Sequence, residues 1–377
     1  MARPYQICTR CVMDTTDPLI SFDDAGMCNH CTDFLANRMG VITAPAEGTA
    51  SLETLFDQVR AAGRGNDYDC VVGVSGGVDS SYVAVLAAEH GLRVLAVHLD
   101  NGWNSKIAVE NIRNLATRLK FGYASYVLPW TDFRRVQVAF LQGSVPEAET
   151  PTDVAIQRAV HDNARKAGAK YILSGGNIAS EGILPKTWHY NARDTRYSHA
   201  ILDAADCPRS AFASQKFGAL QEGYARVMKG IRTAYPLNTI SYDKAAARAK
   251  LEQEYGWQYY GAKHGESRFT RFIQTYYLPI KHSIDYRRAT LASELLTGAT
   301  TREEALAILE TSPYADYDVD GESAYIAKKL NLSGADLAAI IAAPPKFYYD
   351  YPNNEEGLAR LYDLYRRMTG RKKTSNF

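Results

Sequence analysis

Residues 71–81, Val71-Val72-Gly73-Val74-Ser75-Gly76-Gly77-Val78-Asp79-Ser80-Ser81, run from an apolar, β-branched stretch directly into a helix-compatible one. Few folds accept such a joint. A short apolar strand, a tight two-glycine turn and a helix form the opening unit of an open parallel sheet with helices on both faces. The glycines let the backbone turn sharply and expose successive N–H groups. The helix brings its positive dipole end and its unpaired first-turn amides to the same place. Ser75, Ser80 and Ser81 add hydroxyl donors, so the joint reads as an anion cradle sized for phosphate.

The pattern repeats downstream. Residues 93–99 read as a second strand, Val109, Ile112, Ala116 and Leu119 keep helical spacing, and residues 124–128 read as a third strand. A helix near 152–167 closes at Gly168 and precedes a strand at 171–174. Ligands of such sheets bind beyond the carboxyl ends of the strands. Those ends carry Ser75-Gly76-Gly77, then His98-Leu99-Asp100-Asn101-Gly102, then Ser174-Gly175-Gly176-Asn177. The expected fold class is α/β, an open parallel sheet, with a cysteine module and linker at 1–45, the sheet domain at 46–240 and a mostly helical region at 241–377. Helical patterns there cover 243–255, 268–277, 284–296, 301–309, 322–330 and 355–368, and residues 43–48 read as a linker.

Net charge is +1, which argues against bulk nucleic-acid binding. No run of 18 apolar residues suggests membrane insertion, and the first residues lack a signal-peptide core. The expected location is the cytoplasm.

A Walker A loop needs Gly-x-x-x-x-Gly-Lys-Ser/Thr, and a dinucleotide fingerprint needs Gly-x-Gly-x-x-Gly. Neither is present. Ser75-Gly76-Gly77-Val78-Asp79-Ser80 instead resembles the PP-loop of the ATP pyrophosphatases. The resemblance implies that Ser75, Gly76, Gly77, Asp79, Ser80 and Ser81 hold the beta- and gamma-phosphates of ATP, which leave as pyrophosphate while an acceptor is adenylated. Asp79 is the natural Mg2+ ligand, with helix capping as its plainer role. By the same resemblance His98, Asp100 and Asn101 take adenine and ribose, and Gly175, Gly176, Asn177 and Glu181 form a second nucleotide-contacting segment.

Cys8-x2-Cys11-x16-Cys28-x2-Cys31 has zinc-ribbon spacing. Two knuckles give a closed tetrahedral thiolate shell, so the expected metal is structural Zn2+; an iron–sulfur cluster is the alternative. His30 reads as a bystander and Cys70 as a small core residue, while Cys207 stands alone. The 25 tyrosines cluster near 255–260, 276–277 and 347–351, a distribution that suits half-buried packing between helices.

A narrower likeness joins these blocks. Residues 7–18, Cys28-Asn29-His30-Cys31, the Ser75 loop, residues 100–105, Ser174-Gly175-Gly176-Asn177, residues 260–271 and Tyr277-Leu278-Pro279 together resemble the N-acetyl sugar amidotransferases, PP-loop proteins of bacterial surface-polysaccharide and flagellar-glycan pathways. The resemblance implies conversion of an acetamido group on a nucleotide-linked N-acetyl sugar into an acetamidino group. It also implies partners that supply ammonia: a glutaminase subunit and a cyclase-like barrel subunit similar to those of imidazole-glycerol-phosphate synthase. Lys263 and Arg268 are the candidates for stabilising charge on the phosphates, against the alternative of a solvated basic face. Lys186, His189, Arg193 and Arg196, or else Lys281, His282, Arg287 and Arg288, are candidates for an anionic substrate. Two rival readings are a PP-loop tRNA-modifying enzyme of thiolase type and a non-catalytic zinc-ribbon scaffold.

Overall fold

The computed structural model describes residues 3–43, 51–261 and 265–369. The expected linker lies outside them except for Thr43, which ends the short helix Met39–Thr43.

Five strands form the sheet: β1 (Cys70–Gly73), β2 (Val94–Asp100), β3 (Gly122–Val127), β4 (Tyr171–Leu173) and β5 (Arg232–Ala234). Their order is β3-β2-β1-β4-β5 and every pairing is parallel. β1 is central, with Val72 in register with Ala96 on one side and Leu173 on the other. Side chains alternate across the sheet. Cys70 and Val72 join Phe56, Val59, Val83, Ala84 and Ala87 on one face. Val71 joins Leu95, Val97 and Ile172 against Ala159, Val160 and Ala164 of the helix Thr150–Lys166 on the other. Both faces are covered, which is why these strands read as continuous apolar runs.

The chain lays β1, β2 and β3 outward in one direction, then crosses back to add β4 and β5. This reversal opens a crevice at the carboxyl ends of β1 and β4, the place where open α/β sheets bind ligands. The helix Val78–Glu89 leaves β1 at that crevice. It is apolar around most of its circumference because it is clamped on both sides. Val83, Ala84 and Ala87 face the sheet, while Val78 and Val85 pack with Ala247, Leu251 and Trp257. The helix Lys244–Tyr255, assigned by sequence to the C-terminal region, therefore packs on the sheet domain.

The cysteine module and the C-terminal helices share one core, in which Cys8, Cys11, Val12, Met13 and Phe34 join Phe269, Ile273, Leu291, Ala305, Ile326 and Leu337. The helix expected over 268–277 does not stop before Pro279. Arg268–Phe272 continues through a π-helical turn, Ile273–Tyr277, into Leu278–His282. Proline has no N–H to donate and crowds the preceding turn; the wider turn, closed by Leu278 N–H on Ile273 O, accommodates it. Thr301 caps Arg302–Glu310 as its sequence suggests, in a reciprocal box with Glu304. No helix among the described residues is long and apolar enough to cross a membrane.

Candidate active site

The glycine turn is built as its sequence implies. Gly76 has φ +83°, and a Cβ there would lie 2.5 Å from Ala108 O, so no other residue fits without displacing the neighbouring helix. Its carbonyl turns inward and accepts from Trp257 Nε1 at 3.0 Å. Gly77 is the N-cap of Val78–Glu89 and has no side chain to cap with, so the first-turn amides keep their need for an acceptor. Ser75 Oγ accepts from Gly77 N at 3.2 Å and lies 3.1 Å from Ser80 Oγ, placing two hydroxyls beside those amides. The second glycine tip closes on the first: a Cβ on Gly175 would stand 2.7 Å from Ser80 N.

Asp79 projects from the first turn and is already engaged. Lys244 Nζ donates to it at 2.9 Å, and the Tyr242 hydroxyl donates to its other oxygen. Burial works against the Lys244 charge, but Asp79, with Glu181 and Glu266 beyond it, holds the ammonium above its ordinary pKa. Burial and the Asp79 charge push the Tyr242 hydroxyl well up. Neither Tyr242 nor Lys244 is singled out by the sequence.

The rim beyond β2 is polar. His98 is buried; its Nδ1 lies 3.0 Å from Val74 O and its Nε2 lies 3.1 Å from Asn104 Nδ2. Burial lowers its pKa, with the Val74 carbonyl and the Asp100 charge opposing. Asn101 accepts from Trp103 N at 3.1 Å and donates to Thr152 Oγ1 at 3.3 Å. Ser105 N donates to Glu266 O at 2.8 Å and Arg268 N to Trp103 O at 3.1 Å. This short backbone pairing brings Glu266 over the loop, where its Oε1 would lie 3.4 Å from a Cβ on Gly77.

One cleft of about 1480 Å³ joins these parts, lined by Ser75, Gly77, Asp79, Ser80, His98, Asn101, Gly175, Gly176 and Lys244 at one end and by Lys186, His189, Arg193 and Arg226 at the other. Between them stand Glu149 and Asp153. Burial pushes the Glu149 carboxyl up to about 8; Asp153 and Glu266 push the same way, and a hydrogen bond from Thr270 opposes. Burial also raises Asp153, against the attraction of His189 and Arg193.

Several residues expected in the site lie outside the cleft lining. Gly76 faces the helix behind the loop. Ser81 is fully buried beneath it, and its hydroxyl has no hydrogen-bond partner among the described residues. Asp100 accepts from Gly102 N at 3.0 Å, and Asn177 caps the short helix Ile178–Glu181. Arg268 is held in a two-bond pair with Glu322, its guanidinium 3.4 Å from the centre of the Tyr325 ring. Lys263 lies outside the described residues. The two candidate anion groups part company. Lys186, His189 and Arg193 line the cleft, whereas Arg196 reaches Asn353 O. Lys281 caps the chain at Ile340 O and Ala343 O, and Arg287 pairs with Asp285. His282 is buried between Tyr277 and Phe347, and Arg288 pairs with Asp14 of the cysteine module.

The four cysteines form a separate, closed centre. All are fully buried, with their sulfurs within 4.8 Å of one another. Cys8 Sγ lies 3.8 Å from Cys31 Sγ and Cys11 Sγ 3.7 Å from Cys28 Sγ. A tetrahedral shell with metal–sulfur bonds of about 2.3 Å has edges of about 3.8 Å. Backbone amides of Arg10, Cys11 and Cys28 point at Cys8 Sγ, and that of Met13 at Cys11 Sγ. The set suits a metal ion. His30 stays outside it, 2.7 Å from Asp17.

Residues 266–369 match the family model described as LPS biosynthesis protein WbpG-like, C-terminal domain, and residues 50–145 match the model described as NAD synthase. The tRNA-specific 2-thiouridylase MnmA of Bradyrhizobium sp. strain BTAi1 is 34% identical over 173 residues, 41% of this chain and 40% of that protein. The chain thus spans less than half the length of this curated relative. Among solved structures, the U34-tRNA thiolase NcsA from Methanococcus maripaludis with its 4Fe–4S cluster has 13% identity and a TM-score of 0.33, over 69% of this chain and 80% of that one. The NH3-dependent NAD synthetase from Campylobacter jejuni, in complex with the nitrate ion, has 15% identity and a TM-score of 0.29, over 54% of this chain and 92% of that one. Glu149, Lys186, His189, Arg193 and Lys244 fall between the two family matches and outside both.

Proposed function

We propose that this chain, an amidotransferase-like PP-loop protein with a WbpG-like C-terminal domain, uses ATP to convert the acetamido group of a nucleotide-linked N-acetyl sugar into an acetamidino group, with ammonia as the nitrogen source. The observation that carries this reading is the single cleft of about 1480 Å³ running from the phosphate loop to the wall of Lys186, His189 and Arg193. Pockets for one small ligand hold about 300–1,000 Å³, so nucleotide and acceptor both have room. Lys186 and Arg193, paired there with Glu355 and Glu222, offer donors that suit a sugar diphosphate, and the match over 266–369 to a lipopolysaccharide-biosynthesis domain favours a sugar acceptor.

In this reading the first-turn amides and the Ser75 and Ser80 hydroxyls hold the phosphates, and Lys244 offsets their charge. Asp79 would hold magnesium, which would supply further charge neutralisation on the phosphates. The amide oxygen bonds to the alpha-phosphorus while the bond to pyrophosphate breaks. Ammonia then adds to the activated carbon, and the carbon–oxygen bond breaks with its electron pair leaving on AMP. The cysteine centre holds zinc in a closed structural role, supported by thiolate separations that one ion spans. A glutaminase subunit and a cyclase-like barrel subunit deliver the ammonia, and the protein works in the cytoplasm.

The MnmA likeness offers a second reading, tRNA thiolation. A thiolase that carries sulfur on cysteine needs a reachable thiol. Here all six cysteines are buried, four of them in the metal set, which favours the sugar reading. The test is incubation with ATP, an ammonium salt and a panel of nucleotide-linked N-acetyl sugars, followed by mass spectrometry. The expected product has oxygen exchanged for NH and appears with AMP and pyrophosphate. Thiolated tRNA, with no sugar converted, would replace this reading by the second.

A further inference from the structure

We propose that the Glu149 carboxylate accepts the proton of the incoming ammonia, in a pocket that Thr150, Asp153, Glu266 and Thr270 shape for a small cationic amine. The proposal rests on the amidotransferase reading above. Glu149 is half-buried at the N-cap of Thr150–Lys166, and its side chain does no capping. Thr270 Oγ1 donates to its Oε1 at 2.7 Å and is the only hydrogen-bond donor to this carboxylate among the described residues, so Oε2 is left to the cleft. Thr150 lines the same cleft; it is 1% exposed and its Oγ1 has no hydrogen-bond partner among the described residues. A buried hydroxyl with no partner costs free energy unless a ligand satisfies it.

The surrounding charge has the matching sign. Asp153 comes from the same helix, and Glu266 approaches from the segment before Arg268–Phe272. Lys244 faces Glu266 and Asp79, while His189 and Arg193 face Asp153. No cationic side chain among the described residues hydrogen-bonds Glu149. Glu266 borders Gly77, so this acidic patch adjoins the phosphate loop, where the activated carbon must sit.

The step balances. Ammonia adds to the cationic imidate carbon, forming the new C–N bond, and the C=N π pair moves to the sugar nitrogen. One proton passes from the new ammonium centre to Glu149. The C–O bond then breaks with its pair leaving on AMP, which gives the amidinium. A carboxyl pushed up to about 8 is a stronger base than an ordinary one once ionised, so Glu149 takes this proton in the form that grows as pH rises through that value.

The test uses the full chain, ATP, ammonium chloride and a nucleotide sugar that the wild type converts. Two rates are read, ATP–pyrophosphate exchange and acetamidino product. Glu149→Gln keeps the size and the Thr270 contact. The expected result is a loss of about a hundredfold in product from ammonium, with exchange unchanged. Hydroxylamine, unprotonated at neutral pH and a stronger nucleophile, should recover most of the loss. Thr150→Val, which removes only the unpartnered hydroxyl, should raise the KM for ammonium severalfold. Glu149→Gln turning over ammonium at the wild-type rate, or losing hydroxylamine turnover equally, overturns the base assignment. An unchanged ammonium KM in Thr150→Val overturns the amine pocket. A wild type that makes no acetamidino product sinks the amidotransferase reading itself, and this one with it.

Discussion

Asp79 and Lys244 satisfy each other across 165 positions of chain, with Tyr242 completing the carboxylate's contacts. Each Asp79 oxygen accepts one hydrogen bond, and a cation ligated there would stand against the Lys244 ammonium, whose repulsion favours turning Lys244 toward the phosphates beside it. The pair therefore acts as a unit. Asp79→Asn and Lys244→Met should each lower ATP–pyrophosphate exchange about a hundredfold, the scale of losing one aimed charge or donor. The double variant should lose little more than the worse single, because neither residue does its work without the other. Multiplicative losses, read from exchange rates of all four proteins, would mean that the two act independently. Asp79 is legible in the sequence because the loop motif contains it. Lys244 is not: it follows the N-cap Asp243 and reads as an ordinary charged helix start. Only the packing of Lys244–Tyr255 on Val78–Glu89 turns it toward the loop.

At the scale of elements, the cysteine module is fastened to the C-terminal helices by arginines whose sequence context suggested anion binding or nothing. Arg302 donates to the carbonyls of Cys8 and Cys11, and Arg288 donates to Val12 O at 2.8 Å while pairing with Asp14 at 3.1 Å. Asp14 is fully buried. Arg288→Ala should cost about 3 kcal/mol, the low end for an orphaned buried charge, because Tyr5 and Thr16 still hydrogen-bond the carboxylate. Denaturant unfolding measures this, and sugar KM should stay unchanged; a raised KM with unchanged stability would return Arg288 to the substrate. The same scale shows what a sequence can carry. The central strands and the helices between them are legible because burial on both faces leaves unbroken apolar runs. β5 is not: Arg232-Thr233-Ala234 is a three-residue edge with two exposed side chains, held by pairing with β4 alone. The helix Trp130–Gln142 opens behind Pro129 with no side-chain cap, and Asp132 in its first turn is a weak start signal on its own.

Taken as a whole molecule, the cleft is assembled from segments that sequence order keeps far apart: the loop after β1, the rim after β2, the start of Thr150–Lys166, residues 186–193 and the final helix Glu355–Thr369. Sequence spacing places Lys186, His189 and Arg193 and the Lys281–Arg288 group on equal terms; three-dimensional packing sends one to the cleft and uses the other as structural fastenings. The ends of the cleft should therefore separate kinetically. Arg193 Nε pairs with Glu222 at 2.9 Å, and Glu222 retains partial exposure, so its loss leaves a carboxylate that water can reach. Arg193→Ala should raise the KM for the nucleotide sugar about tenfold or more, since a hydrogen bond to a charged group contributes about 1.5–3 kcal/mol. The KM for ATP should not move, because the loop amides and Lys244 stand at the opposite end. Steady-state rates with sugar varied at saturating ATP, then ATP varied at saturating sugar, distinguish the two. A rise in ATP KM with sugar KM unchanged would place the nucleotide against the Arg193 end and reverse the orientation argued for both substrates.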